Sequence, residues 1–298
     1  MSEKVCAVIV TYNRKDLLRE CLNAVLSQTR PPDHVLVVDN ASTDGTPEML
    51  KAEFPQVEVL RLPENQGGAG GFHEGMKRGY EMGFEWLWIM DDDAFPEKDA
   101  LALLSRYFSQ AEVLVPLQRD VGGSLYGVGY WKGRYVSAFV EEKASPFRIE
   151  MFAFVGPLIH REVLQKVGLP RKEFFLQFDD VEYALRIREA GLRVLCVPDS
   201  HIVHNYGEAK EVSLLGFIRR KRGVLSPIKV YYSVRNYGWT ACRTQLAKPR
   251  LMSVVMYFLL NLRWLVGDLL FEPDRFIRVR MRVKGVWHGI LGKLGKLH

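Results

Sequence analysis

Short apolar segments alternate with amphipathic ones along the first third of the chain. Val5–Val10 and Val35–Val38 consist of residues that favour buried strands, and apolar residues recur at helical spacing over about 15–28 between them. Strand–helix alternation at this pace predicts a mostly parallel sheet with helices on both faces. The sequence therefore indicates an α/β fold, followed by a C-terminal third that we expect to be mainly helical.

The apolar run Trp86–Met90 ends in three consecutive aspartates, Asp91–Asp93. Buried strands of a parallel sheet deliver their carboxyl ends to the crevice where ligands bind. Three adjacent carboxylates there repel one another unless a cation lies among them, and hard oxygen donors suit Mg²⁺ or Mn²⁺. We interpret the triplet as a metal site, and the alternative is a solvated acidic turn.

Two further features lie near predicted strand ends. Asp39 ends the second apolar run, where a carboxylate can hold a nucleobase or a ribose hydroxyl, although Asp is also an ordinary turn residue. Residues 65–72, Asn-Gln-Gly-Gly-Ala-Gly-Gly-Phe, offer backbone amides free of side chains at the start of a predicted helix, which suits a diphosphate. The segment has neither the Lys-Ser/Thr of a P-loop nor the Gly-x-Gly-x-x-Gly spacing of dinucleotide-binding proteins. A flexible turn is the alternative.

A second acidic cluster, formed by Asp179, Asp180 and Glu182, opens another predicted helix. The helix dipole favours ionised carboxylates in a first turn, so N-terminal capping alone would explain the cluster. If the cluster lies opposite a metal and a diphosphate, one of these carboxylates could instead serve as a general base toward an acceptor hydroxyl.

His204 follows a predicted strand and precedes a polar segment rather than an apolar face. A neutral imidazole at this place could complete the ligands of a metal bound by Asp91 and Asp93. His201 is the obvious competitor for that role, and a histidine without any ligand role is the simpler alternative.

Charge is distributed unevenly along the chain. Residues 219–298 carry 17 Lys/Arg against 3 Asp/Glu, a net charge of +14, and the first 218 residues carry −8. The apolar stretch 251–271 is interrupted by Asn261, Arg263 and Asp268, so we expect an interfacial or core helix rather than a membrane span. The basic run that follows, 275–284, suits an anionic membrane surface, a protein groove or a solvated helix.

Four scattered cysteines without a Cys-x-x-Cys pair indicate a reducing compartment, and no leader sequence precedes the first strand. We therefore expect a cytoplasmic protein. The charge pattern places it on the inner face of the cell membrane as a peripheral protein. A nucleic-acid partner is disfavoured, because no recognition fold accompanies the basic residues.

The motifs together resemble the family-2 glycosyltransferases of the GT-A fold over about residues 4–210. They occur in the family's order, as Val8–Arg14, Val38–Thr46, Asp91–Asp93 and Asp179–Asp180. Gly-Gly-Ala-Gly-Gly-Phe72 paired with Trp-Ile-Met-Asp-Asp-Asp93 is similar to the galactofuranosyltransferase branch. Related rhamnosyltransferases more often have a looser glycine loop with an asparagine. The segment Tyr231–Asn236 also resembles that branch, without a role that the resemblance assigns.

The resemblance implies roles for individual residues. Asp180 would be the catalytic base, with Asp179 and Glu182 supporting it or binding the acceptor. The metal ligands would be Asp91, Asp93 and His204. The donor would be held by Thr11, Asn13, Arg14, Asp39, Asn65, Gly68, Gly70, Gly71 and Asp92.

The activity implied by the resemblance is a metal-dependent, inverting sugar transfer that takes part in cell-surface polysaccharide synthesis. Galactofuranose from UDP-galactofuranose is the expected donor sugar, and rhamnose from dTDP-rhamnose is the alternative. The acceptor would be a hydroxyl of a saccharide or lipid-linked saccharide. Residues 1–210 would bind the nucleotide sugar and catalyse transfer, and residues 211–298 would contact acceptor, membrane or another subunit. A sugar-nucleotide nucleotidyltransferase and a non-catalytic membrane scaffold are the competing classes.

Overall fold

The computed structural model describes residues 3–125, 130–131, 134–135, 145–205, 210–214, 218–222, 225–244, 250–272 and 274–297. The chain forms two compact units. The first comprises Met1–Lys172 and Tyr183–Tyr206, and the second comprises Glu173–Glu182 and Gly207–His298. The segment that carries the second acidic cluster thus groups with the C-terminal residues.

The first unit contains strands and helices, and most of its strands belong to one sheet. Its strands are β1 (Val5–Thr11), β2 (His34–Asp39), β3 (Glu58–Arg61), β4 (Trp86–Asp91), β5 (Ala94–Pro96), β6 (Val113–Arg119), β7 (Tyr130–Trp131), β8 (Arg134–Tyr135), β9 (Phe147–Arg148), β10 (Leu158–His160) and β11 (Val194–His204). Its helices are α1 (Lys15–Leu26), α2 (Thr46–Glu53), α3 (Gly67–Glu81), α4 (Ala100–Ser105) and α5 (Arg161–Val167), and α6 (Asp179–Glu189) begins in the second unit.

The sheet is mixed rather than wholly parallel. Its order is β3-β2-β1-β4-β10-β6-β11-β5, with β9 pairing with β11. The pairs from β3 to β4 and the pair β6–β11 are parallel, whereas β10, β5 and β9 join antiparallel. The predicted α/β class is confirmed. The parallel strands from β3 to β4 are the part of the sheet that the alternating strand and helix segments of the sequence encode. β7 and β8 form a separate antiparallel pair.

Apolar residues on alternate positions of the central strands face two cores. Cys6, Val8 and Val10 of β1 belong to the core on one side of the sheet, with Phe72 and Met76 of α3. The intervening residues of β1 belong to the other core, which α1, α2 and α4 cover. Because both faces are buried, the strands read as continuous apolar runs, which is why the sequence revealed them.

Some predictions of local structure were wrong. The apolar residues Phe152–Val155 suggest a strand in the sequence, but they form none, although their side chains are partly or fully buried in the cores. The sequence predicts a strand over Val194–Val197, but β11 continues to His204 through a register shift between Val197 and His201. Asn13 is a candidate N-terminal cap of α1 by its place in the sequence, but its side chain accepts a hydrogen bond from the Thr43 amide, and Asp44 Oδ2 accepts from the Lys15 amide instead. The segment 121–140, rich in Gly, Tyr and Trp, suggests hairpins in the sequence, and it lies largely outside the described residues.

The second unit is mainly helical, as expected, and also contains a hairpin that the sequence analysis missed. Its elements are β12 (Lys210–Leu214), β13 (Ile218–Arg222), α7 (Pro227–Arg243), α8 (Arg250–Phe271) and α9 (Arg275–Leu291). α7 and α9 pack so closely that a Cβ on Gly289 would lie 2.5 Å from the Arg235 carbonyl oxygen. A glycine is therefore required at that crossing.

The apolar helix α8 is the one helix in the described parts of the chain that is long and apolar enough to cross a membrane. Two of the polar residues that interrupt it face inward. Asp268 Oδ2 accepts hydrogen bonds from Arg282 of α9 at 2.6 and 3.0 Å, and Asn261 Oδ1 accepts from the same guanidinium at 3.2 Å. Arg263, in contrast, is exposed.

One face of α3 consists of glycines that lie against the sheet. A Cβ on Gly71 would meet Val10 Cγ1 at 2.4 Å, and one on Gly75 would meet Val8 Cγ1 at 2.5 Å and Val38 Cγ2 at 2.8 Å. Val8, Val10 and Val38 are β-branched and packed in the sheet, so they cannot move aside at low cost. The glycines let the helix axis approach the strands.

We predict that Gly75→Ala lowers the free energy of unfolding by about 1–3 kcal/mol, because the added methyl overpacks this contact. Gly68→Ala is the matched control, since nothing lies within 4 Å of its added Cβ. Its stability should stay within about 1 kcal/mol of wild type or rise, as Ala favours the helix. Urea denaturation measures both, and equal losses for the two variants would contradict the close-approach explanation.

Candidate functional site

The carboxyl ends of three neighbouring parallel strands meet at one edge of the sheet. In the strand register Thr11 of β1 pairs with Asp39 of β2, and Val10 pairs with Asp91 of β4. The polar residues predicted to bind the donor nucleotide and the metal therefore lie at one edge, where parallel sheets bind ligands.

Arg14 links two members of the aspartate triplet. Its Nη1 lies 2.5 Å from Asp93 Oδ2 and 3.2 Å from Asp92 Oδ1, and the Thr11 hydroxyl donates to Asp92 Oδ2 at 2.7 Å. Burial raises the pKa of Asp92 to about 6, although Arg14 and Thr11 act in the opposite direction. Burial disfavours the charge on Arg14, but Asp92 and Asp93 outweigh it and raise the pKa of the guanidinium. Thr11, Arg14 and Asp92 are thus brought together, as the donor-binding prediction requires.

His204 is the histidine that lies beside the triplet. Its Nε2 is 3.0 Å from Asp93 Oδ1, and both side chains are largely buried. Backbone pairing fixes this contact, because His204 pairs with Ala94 and the Asn205 amide donates to the Asp93 carbonyl at 2.9 Å. Burial disfavours ionised Asp93, yet His204 and Arg14 outweigh it and hold the pKa of that carboxyl below its usual value. His201 contacts Glu97 instead.

Asp93 and His204 offer a carboxylate oxygen and an imidazole nitrogen side by side, which is a donor pair that fits Mn²⁺ or Mg²⁺. Within the described ranges, however, no three His, Cys, Asp or Glu side chains are grouped closely enough to hold an ion. The structure therefore unites two of the three predicted ligands, and Asp91 as the third stays a prediction. A nucleotide diphosphate would have to supply further oxygens.

Asp39 is fully buried, and both of its oxygens accept hydrogen bonds. The Ser42 amide donates to Oδ1 at 2.8 Å, and Arg61 Nη1 lies 3.1 Å from Oδ2. Arg61 ends β3 opposite Asp39 in the strand register, and it was not predicted from the sequence. Asn13 lies at the same loop, and its backbone amide donates to the Ser42 hydroxyl at 3.0 Å. Asp39 therefore organises the loop after β2 as well as being a candidate donor ligand.

Asn40 holds the start of α3. Its Nδ2 donates to the Gly67 carbonyl and its Oδ1 accepts from the Gln66 amide, each at 2.8 Å. Asn65 Oδ1 accepts from the Gly67 amide at 2.8 Å, so the side chain predicted to bind the donor also shapes this turn. Asn40 was not predicted. Its position directly after Asp39 in a turn was the available signal.

The glycines predicted to face a diphosphate differ in their surroundings. Gly68 has open space at its Cβ position. Gly70 lies against Gln66 of the same turn, and Gly71 packs on Val10. All three belong to the first turns of α3, whose N-terminal amides could bind an anion. Of the three, Gly68 leaves open space beside these amides, whereas Gly70 and Gly71 pack against other side chains.

The second acidic cluster forms the first turn of α6. Asp180 Oδ1 accepts from the Val181 amide at 2.7 Å, and the Glu182 amide donates to the Phe178 carbonyl at 3.0 Å. Burial, and secondarily the negative charge of Asp180, raise the pKa of Asp179, and burial raises the pKa of Asp180. A carboxylate with a raised pKa is a better proton acceptor, which suits a general base.

Comparison with known proteins agrees with this fold. The profile "Glycosyl transferase family 2" matches residues 6–168, which is more than half of the chain. The chain belongs to this family, and it is a glycosyltransferase of the GT-A fold. The resemblance inferred from the sequence is thereby confirmed.

The relatives to which this chain is similar include a galactofuranosyltransferase and a rhamnosyltransferase. Galactofuranosyltransferase GlfT1 of Mycolicibacterium smegmatis is 30% identical over 293 residues, which cover 89% of this chain and 93% of that protein. dTDP-rhamnosyl transferase RfbF of Shigella flexneri is 29% identical over 242 residues, with 79% of each covered. The crystal structure of GalNAc-T7 with UDP, GalNAc and Mn²⁺ matches the fold with a TM-score of 0.57 at 18% identity, covering 80% of this chain and 47% of that one.

Proposed function

We propose that this protein transfers galactofuranose from UDP-galactofuranose to a hydroxyl of a saccharide or lipid-linked saccharide during cell-surface polysaccharide synthesis. The observation that carries the proposal is the near full-length similarity to a galactofuranosyltransferase, which includes the helical C-terminal region. Transfer of rhamnose from dTDP-rhamnose is the second candidate, because a rhamnosyltransferase is almost equally similar over most of the chain.

Each polar residue at the sheet edge has a role in this proposal. Thr11, Asn13 or Arg14 would hold the nucleoside together with Asp39. Asp92 would contact the donor sugar or ribose, since the Thr11 hydroxyl and Arg14 orient its carboxylate. The remaining proposed donor ligands are Asn65, Gly68, Gly70 and Gly71 at the start of α3, where backbone amides favour the diphosphate.

The divalent cation proposed here, Mn²⁺ or Mg²⁺, would be held by Asp93 and His204, with Asp91 as the third protein ligand. When bound, it would neutralise negative charge on the departing nucleoside diphosphate. Arg14 already places a positive charge at Asp93. It can therefore take part in balancing charge at the same edge.

Asp180 would take the proton from the acceptor hydroxyl as that oxygen forms a bond to the anomeric carbon. The bond from the anomeric carbon to the diphosphate oxygen breaks, and its electron pair leaves with UDP. A single displacement from the opposite face inverts the configuration at this carbon. Asp179 and Glu182 would support the base or bind the acceptor. A sugar-nucleotide nucleotidyltransferase would need a different reaction centre and receives no support from the family match.

A donor panel tests the sugar assignment. We expect the purified protein with Mn²⁺ to release UDP from UDP-galactofuranose at least tenfold faster than it releases nucleotide from dTDP-rhamnose or UDP-hexopyranoses. Octyl galactofuranoside and octyl rhamnoside serve as acceptors, and EDTA should abolish the activity. Preference for dTDP-rhamnose would favour the second candidate, and preference for a pyranose donor would refute both.

Replacing the proposed base tests the mechanism. Asp180→Asn keeps the shape of the side chain but cannot accept the proton, so we expect transfer to fall by at least 10²-fold. The dissociation constant of UDP-galactofuranose, measured by calorimetry, should change less than threefold. Surviving transfer in this variant would show that another group is the base.

The second unit carries a large exposed apolar surface, which we propose lies on an anionic membrane surface. On α8 the exposed side chains are Leu251, Met252, Val255, Met256, Phe258, Leu259, Leu262, Val266, Leu269 and Leu270, and on α9 they include Phe276, Ile277 and Trp287. Within the basic run, Arg278 and Arg282 are buried in ion pairs, whereas Arg275 and Arg280 are exposed. The protein would then be peripheral, on the cytoplasmic face of the cell membrane.

We expect the protein to sediment with vesicles of phosphatidylglycerol and phosphatidylcholine, and less with phosphatidylcholine alone. Leu262→Glu places a charge on the exposed α8 face and should weaken vesicle binding about tenfold. Val121→Glu, at an equally exposed apolar residue of the first unit, is the control and should bind like wild type. If Leu262→Glu instead changes only the mass in solution, the face joins two copies of the chain.

A further inference from the structure

The loop before α6 has an unusual backbone. Three of its residues lie in the left-handed region although none is glycine: Phe175 at φ 64°, Gln177 at φ 67° and Phe178 at φ 69°. Side chains with a Cβ rarely adopt this conformation, and it persists only where the surroundings hold it in place. The first turn of α6, with Asp179 and Asp180, follows directly.

Two adjacent residues of α7 bind the carbonyl groups of this loop. Asn236 Nδ2 lies 3.0 Å from the Phe174 oxygen and 2.8 Å from the oxygens of Leu176 and Gln177. Arg235 Nη2 donates to the Phe174 carbonyl at 2.7 Å and to the Glu173 carbonyl at 3.2 Å. The two side chains thus contact four of the five carbonyl groups from residue 173 to residue 177.

Arg235 is wholly buried, and its remaining bonds serve the same assembly. Its Nε donates to Asn236 Oδ1 at 2.8 Å, and its Nη1 donates to the carbonyl of Gly295, whose own amide donates to the Glu173 carbonyl. In the described part of the chain no carboxylate forms an ion pair with this guanidinium. A buried charge is costly, and here the hydrogen bonds of the Nη atoms go to main-chain carbonyls while the rings of Tyr231 and Tyr232 lie beside the guanidinium. The charge is therefore spent on holding those carbonyl groups in place.

Aromatic contacts reinforce the hydrogen bonds. Three phenylalanines of the loop each pack against a ring of α7, with centroid distances of 5.0–5.4 Å: Phe174 with Trp239, Phe175 with Tyr232, and Phe178 with Tyr237. The loop is therefore held by both its backbone and its side chains. Because the Glu182 amide bonds to the Phe178 carbonyl, the fixed loop also fixes the start of α6.

We propose that Arg235 and Asn236 are positioning residues, which hold the loop 174–178 so that Asp179 and Asp180 enter α6 in a single orientation. The proposal rests on the proposed function, in which Asp180 accepts the acceptor's proton. It gives a role to the Tyr231–Asn236 segment that the sequence left without one. Neither residue is assigned any contact with substrate.

Asn236→Asp is the primary test, because it keeps the shape of the side chain but presents an oxygen to three carbonyl oxygens. Arg235→Lys keeps the charge but loses the forked geometry, and it serves if Asn236→Asp fails to fold. Thr240→Val is the control. Thr240 is as buried in α7 as Asn236, and its hydroxyl donates to the Asn236 carbonyl within the same helix.

We expect kcat of Asn236→Asp to fall about 10²-fold, the loss that a misplacement of about 1 Å produces. The donor that the panel selects should bind within threefold of wild type, and the acid limb of the kcat–pH profile should shift. Hydrogen exchange should accelerate in peptides covering 174–184. Thr240→Val should retain wild-type kcat and pH profile, even where its melting temperature falls.

The combination with Asp180→Asn separates this proposal from the proposed function. If Asn236 acts through Asp180, adding Asn236→Asp to Asp180→Asn should cause no further loss. A folded Asn236→Asp with wild-type kcat, or losses that multiply in the double variant, would overturn the positioning role while leaving the base intact. Full transfer by Asp180→Asn would instead refute the base assignment.

Discussion

The close approach of α3 to the sheet is the contact on which the donor side of the site depends. Gly71 and Gly75 let the helix pack on Val8, Val10 and Val38 at a distance that a residue with a Cβ atom would not allow. This closeness places the start of α3 within reach of Asn40, which bonds both sides of the turn at Gly67. The position of the helix N-terminus, and of the amides proposed to meet a diphosphate, thus follows from packing in the core.

Electrostatics organises the neighbouring strand end. Three consecutive carboxylates are tolerated there because Arg14, Thr11 and His204 each contact Asp92 or Asp93. The two buried carboxylates respond in opposite directions: the pKa of Asp92 is raised and that of Asp93 is lowered. Of these two, Asp93 is the more readily ionised, which is the property that the proposed cation ligand requires, and Asp92 more readily keeps its proton.

The sequence predicted the parts of the fold that have a strong local signal. Strands buried on both faces and amphipathic helices appear as apolar patterns, so β1, β2, β4 and α1 were located correctly. Phe152–Val155 shows the limit, because apolar side chains bury themselves equally well without strand pairing. The antiparallel strands β5 and β9 were missed, since two or three residues carry no periodicity.

Within the site, residue types at motif positions were predictable but their partners were not. The position of His204 beside Asp93 was expected from the resemblance. Backbone pairing of His204 with Ala94 explains why this histidine, and not His201, lies next to Asp93. Arg61 could not be found from spacing, because it reaches Asp39 across two strands that only the tertiary structure brings together. Asn13 was expected at a cap that Asp44 provides from a distant loop.

The hydrogen bonds from Arg235 and Asn236 to the loop before α6 end on main-chain oxygens and not on side chains. Every residue type carries such a carbonyl, so these bonds place no demand on the identity of Leu176 or Gln177. Leu176 can therefore be replaced without loss of its bond to Asn236, whereas the left-handed backbone of Gln177, at φ 67°, still restricts which residues fit there.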